Sequence, residues 1–299
     1  MICYKLLMNM LRAIIISLAL MLPAIMTAKE SYVIQDSPDG PCLVKWIGKE
    51  SVVDFNRSPA LRSVKVIGEM AFEMNNHIRK VLLPEGLTII RKRAFNTCEN
   101  LVTVEMPSSV KEIGNSAFNM DRKLELKALP DSLVSIGEWA FWDCTKVAIS
   151  VIPESVQVIG RLAFTCCEGI RTLTFLNRMR VINDRTFSGC KNIEKIEFPD
   201  GLEEISDFAF ARCVNLTELQ FSASLRKLGY RSFANCSSLG KVIFQSTPTI
   251  DDTAFDNCEN FSGILLTFVL ILRLADEGGL KAALKEYDRT GIRKYRTGA

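Results

Sequence analysis

The chain of 299 residues contains a single histidine, His77. Without a second imidazole there is no histidine metal cluster, and a serine or cysteine nucleophile would have only His77 as its base. No phosphate-cradling glycine loop and no nucleophile elbow is found. Carboxylates are plentiful, as at Glu203, Glu204 and Asp207, but acids on a repeated face serve first to keep it soluble. Charge of one sign is also missing. The 37 basic and 34 acidic residues are interleaved and leave a net charge of +3, which provides no nucleic-acid footprint. The basic excess is local to Arg289, Arg293, Lys294 and Arg296. The expectation is a protein with no catalytic residues, no cofactor, no metal and no nucleic-acid partner.

What the chain does have is a period. Phe72, Phe95, Phe118, Phe141, Phe164, Phe187, Phe210, Phe233 and Phe255 follow one another at intervals of 23 residues, the last interval being 22. A repeat of that length, held so strictly, means a solenoid. Six positions after each anchor stands an apolar residue, from Ile78 in the first copy to Phe261 in the last. Alternating apolar residues follow, as at Ile196 and Phe198 or Leu219 and Phe221, which suits a short strand with one buried face. Proline closes the run at Pro84, Pro107, Pro130, Pro153 and Pro199, because a residue without a backbone N–H cannot extend a ladder. A second apolar ridge comes next, as at Leu202 and Ile205, and a small residue, usually alanine, precedes the following anchor. One such unit buries too little to fold alone, so stability must come from stacking on its neighbours.

The pattern Leu-x-x-Ile-x-Phe-Pro-x-x-Leu-x-x-Ile-x-x-x-Ala-Phe-x-x-Cys resembles the BspA-like (Treponema pallidum-type) class of leucine-rich repeats, over residues 64–266. The resemblance implies a β-rich, right-handed solenoid of about nine units with short parallel strands. It also implies a secreted or surface protein of bacteria and some protists, acting in adhesion or host contact, and it brings no catalytic residues to transfer.

Seven of the ten cysteines, Cys98, Cys144, Cys167, Cys190, Cys213, Cys236 and Cys258, stand three residues after their anchors, and Asn75 and Asp121 hold the slot in the other two units. Metal binding would call for paired ligands at short spacing. Stacked positions lie close enough for a disulfide, but their Cβ atoms project in parallel, whereas a disulfide needs a torsion near about 90°. We therefore expect a column of buried free thiols acting as small hydrophobes.

The ends depart from the period. Residues 1–28 carry Lys5 and Arg12 before an uncharged apolar run and read as a secretory signal peptide, with an uncleaved membrane anchor as the alternative. Residues 29–63 read as a degenerate N-terminal cap that includes Trp46. Residues 267–299 read as a C-terminal cap and basic tail, with an amphipathic helix over 276–287. The apolar run 264–272 is too short for a membrane helix and reads as a last strand plus part of the cap, with a marginal membrane segment as the alternative. Membrane contact is otherwise expected only through the N-terminal segment before cleavage.

The third and fourth units slip by one residue. Lys127 stands where other units place Val or Leu, and Ile149, Ser150 and Val151 replace the usual polar, apolar, polar order. Two outcomes follow: a bulge restores burial, or Leu126, Ala128, Ile149 and Val151 form an apolar patch on the strand face. Trp142 adds weight to a patch, because its slot is polar in most other units, and Trp139 lies nearby. Leu126, Trp139, Trp142, Ile149 and Val151, with Lys195 and Glu197 on the regular strand face, are the candidate partner-binding residues. The expected function is that of an exported, non-enzymatic protein of the cell surface or medium, binding a host or cell-surface protein. The alternatives are a glycan-binding module using Trp139 and Trp142, and a structural spacer.

Overall fold

The computed structural model describes residues 31–261 and a short strand at Ile264–Leu266. Each period of the sequence makes one coil, which in its regular form has a first strand, a second strand and a segment of turns. In the first strand alternation does what the sequence demands: along Thr172–Phe175, Leu173 and Phe175 are buried while Thr172 faces out. The second strand is two residues long, as at Glu112–Ile113, where only Ile113 enters the core. Pairing is parallel and in step with the period, so that Thr172 lies beside Lys195 and Glu112 beside Ser135.

The turn segment carries the anchor. In the coils from Phe72 to Phe233 the residues two before and two after it are left-handed, as at Trp139 (φ 53°) and Asp143 (φ 60°) around Phe141. That conformation costs an ordinary side chain about 1–2 kcal/mol. It also turns alternate N–H groups to the same side. The N–H groups of Met70, Phe72 and Met74 donate to the carbonyls of Lys92, Ala94 and Asn96 in the next coil at 3.1, 2.7 and 2.9 Å. The turns thus form a third ladder, and the buried backbone is satisfied.

Inside, the anchor rings form one file. Successive centroids from Phe72 to Phe255 are 4.8 to 5.7 Å apart, with planes within 11° of parallel. Trp46 heads the file 5.6 Å from Phe72, and Phe261 closes it 4.9 Å from Phe255. Beside the file runs the cysteine column, unbridged and buried. Each thiol donates to the anchor carbonyl of the coil before, Cys144 to Phe118 at 2.9 Å and Cys167 to Phe141 at 3.1 Å. Burial pushes the thiols of Cys144, Cys167 and Cys190 well above their ordinary range, which favours the unreactive thiol over the thiolate in the middle of the column. Asp121 interrupts it. Its Oδ1 accepts the Cys98 N–H at 2.7 Å, its Oδ2 is buried without a partner, and burial raises its carboxyl well above the usual range.

Stacking begins before residue 64. Cys42–Trp46 pairs with Val66–Ile67, and Val52–Asp54 pairs with Lys80–Leu82. Tyr32–Gln35 folds back antiparallel on Cys42–Trp46. A short helix α1 (Pro59–Arg62) begins at Ser58, whose hydroxyl accepts the Leu61 N–H at 3.2 Å and helps carry Leu61 into the core. At the other end Ile264–Leu266 pairs in register with Val242, Ile243 and Phe244. The signal-peptide reading of 1–28 and the helix expected over 276–287 lie outside the described residues. Among the described residues no helix is long and apolar enough to cross a membrane.

The slipped units resolve in favour of burial. Leu126 and Ile149 are 7% and 0% exposed, so the four-residue apolar patch on the strand face does not form. Two outward residues follow each, Lys127 and Ala128 or Ser150 and Val151, before Leu129 and Ile152 return to the core. The ladder is what gives way: on this face no strand lies between Thr103–Glu105 and Val151–Ile152. Burying a Leu or Ile side chain contributes about 1.5–3 kcal/mol, whereas one net backbone hydrogen bond contributes about 0.5–1.5 kcal/mol.

Candidate functional site

On the first-strand face each outward side chain of a regular strand adjoins a buried one, which fixes where it stands. Val151, Thr174 and Glu197 occupy one column, each in register with the next. Lys195 stands beside that column, next to Thr172 on the preceding strand. The charges here are paired within the face. Lys195 Nζ is 2.6 Å from Glu197 Oε1, and Thr174 donates to Glu197 Oε2 at 3.1 Å. These hydrogen bonds raise the Lys195 ammonium and lower the Glu197 carboxyl from their ordinary values. Lys241 with Glu218 at 3.0 Å, and Lys80 with Glu105 at 2.6 Å, repeat the device. Such exposed pairs contribute little stability. Their effect is to present matched donors and acceptors in fixed places rather than a field of one sign.

The seven candidate residues separate into three groups. Val151, Lys195 and Glu197 share the strand face. Trp139 and Trp142 lie on the turn segment around Phe141, where Trp139 is 42% exposed and Trp142 half-buried. Leu126 and Ile149 are core.

The turn face also carries a ridge that the sequence reading passed over. The slot two before the anchor is filled by Trp139, Leu162, Arg185, Phe208 and Arg231 in successive coils. The Arg185 guanidinium lies 4.2 Å from the centre of the Phe208 ring, and Phe208 meets Tyr230 edge-on at 5.2 Å. Both nitrogen-to-oxygen contacts of Arg185 with Asp184, at 3.0 and 2.8 Å, hold that guanidinium in place. Aligning the copies on the anchor and reading the slot at minus two would have found the ridge.

Coils with two short parallel strands, a stacked aromatic file and an outward-facing polar sheet define a leucine-rich-repeat solenoid. The model of the BspA type leucine rich repeat region matches residues 65–190 and 163–268, with six copies, and the chain belongs to that family. A leucine rich repeat protein of T. pallidum is similar in structure, with 26% identity over 62% of this chain and 88% of its own, and a TM-score of 0.57. A leucine-rich repeat protein from Bacteroides ovatus shares the fold at 24% identity, over 80% of this chain and 76% of its own, with a TM-score of 0.58. No curated protein matches the chain. Proteins of this family are generally non-enzymatic, leucine-rich repeats typically bind other proteins, and this chain is a repeat protein suited to protein interaction.

Proposed function

We propose that this is an exported, non-enzymatic protein whose first-strand face binds another protein, in adhesion or in contact with a host or cell surface. The observation that carries the reading is the internally paired charge of that face, at Lys195 with Glu197 and Lys241 with Glu218. A surface whose charges are already matched suits the mixed polar surface of a protein better than a polyanion. Export rests on the uncharged apolar run within residues 1–28.

The test is a binding screen of the purified protein against matrix and cell-surface proteins and against a glycan array, with the charge-reversed double variant Lys195→Glu, Glu197→Lys alongside. The reading expects a protein ligand whose binding falls by about tenfold or more in the double variant. Binding unaffected by the reversal would remove the strand face from consideration, and no ligand in either screen would leave the spacer. Glycan recognition is the second reading, favoured by the exposure of Trp139 at 42% and by the capacity of aromatic faces to pack on apolar surface. Trp142→Ala separates it from packing: unchanged glycan binding with lowered stability would make Trp142 a structural residue.

A further inference from the structure

A groove of about 920 Å³ lies on a surface distinct from the first-strand face, between the second strands and the turn segments of the third to fifth coils. Its floor is Gly114, Gly137 and Gly160, one from each coil. A Cβ added at these positions would lie 2.7 Å from the Lys92 nitrogen, 2.5 Å from the Asn115 nitrogen and 2.5 Å from the Glu138 nitrogen. Glycine is therefore what allows the coils to close up here, and all three glycines line the trough. At about 4.8 Å per coil the trough is on the order of 14 Å long, the length of about four extended residues.

Charge accounting sets what fits. The bases that line the groove are spoken for: Arg91 pairs with Asp39 at 2.7 Å, Lys92 with Glu69 at 3.7 Å and Arg161 with Asp184 at 3.3 Å. Two lining carboxylates, exposed Glu112 on one wall and half-buried Glu138 on the other, have no partner among the described residues. The Oδ1 of Asn115 accepts the Glu138 N–H at 3.0 Å, which leaves its Nδ2 amide free to donate, as is the Ser135 hydroxyl. Val158, 54% exposed, adds an apolar shoulder.

From this arrangement we infer that the groove takes a short extended segment of a partner protein that bears lysine or arginine. Its cationic side chains meet Glu112 and Glu138, its backbone carbonyls meet Asn115 and Ser135, and an aliphatic neighbour rests on Val158. The glycine floor lets the segment approach the solenoid backbone.

Titration of the full chain with fluorescein-labelled tetralysine at low ionic strength tests this, with tetraglutamate as control and with amide NMR to locate the contact. Saturable tetralysine binding is expected, with shifts at Gly114, Gly137 and Gly160, weakening by about tenfold in Glu112→Gln, Glu138→Gln and declining with salt. The Lys195→Glu, Glu197→Lys variant serves as the second control and should bind tetralysine as wild type, so that failure of the strand-face reading and failure of this one are told apart. Equal binding by the Glu112→Gln, Glu138→Gln variant, or shifts confined to other surfaces, would overturn the assignment. So would self-association of the chain that is lost in the same variant, because the occupant would then be a second copy.

Discussion

Two stretches of the first-strand face obey the same period and yet differ. From Thr172 to Phe244 buried and exposed residues alternate and the strands form. From Leu126 to Ile149 the apolar residue comes one place early, and the strand is absent until Val151. The anchor file passes through both without a change. Phe118 to Phe141 is 5.3 Å and Phe187 to Phe210 is also 5.3 Å. A coil is thus held by its anchor and its turn ladder, and the first strand is an element that a coil can lose.

The comparison would break most visibly at an anchor in the slipped region. Phe118→Ala removes a fully buried ring from a coil that has no first strand. It should cost about 3–5 kcal/mol in urea unfolding, as should Phe210→Ala in a regular coil. A cost below about 1 kcal/mol at Phe118 would mean that something other than the file holds the slipped coils. A finer probe uses neighbouring residues. Leu126→Ala should cost about 2–4 kcal/mol, and Lys127→Ala should stay within about 0.5 kcal/mol. In the regular coil the expensive residue of the pair is instead the second, Ile196 rather than Lys195. Equal costs at Leu126 and Lys127 would contradict the burial seen here.

The smallest effect concerns Asp121, which sits in the thiol column of the same slipped coil. Burial raises its carboxyl above the unfolded value of about 3.9, so the fold favours the protonated form. Its contribution is fully present below about pH 4 and is lost as pH rises through the raised folded value. Asparagine keeps a neutral acceptor in place. Asp121→Asn should therefore gain about 1–2 kcal/mol at pH 7 and flatten the decline of stability above pH 4, measured by chemical unfolding at a series of pH values. The same slope in both proteins would acquit Asp121.

The architecture was legible because it rests on residues that repeat. The spacing of the phenylalanines predicted a single file, and the cysteines three places later predicted a column; both depend only on stacking in register. The slipped units were not legible to the same degree. Alternation left Leu126 and Ile149 either in the core or on the strand face, and the outcome turned on burial outweighing a few backbone hydrogen bonds, which no local pattern reports. Nor did it reveal that Trp139 belongs to a ridge with Leu162, Arg185 and Phe208. Those residues stand one period apart and meet by stacking, but alternation along a strand says nothing of a slot in a left-handed turn that ordinary side chains rarely adopt. The groove over Gly114, Gly137 and Gly160 was missed for a related reason. A recurring glycine is visible in the sequence, but a trough over it depends on which side chains of adjacent coils surround it, and that only stacking shows.

In the coils from Phe72 to Phe233 the left-handed slot two before the anchor accepts methionine, arginine, serine, tryptophan, leucine or phenylalanine. The conformation is imposed from outside, by the hydrogen bonds of adjoining coils, and is indifferent to the occupant. Such a row of slots, about 5 Å apart, works like movable type in a fixed frame: a letter can be changed without resetting the page.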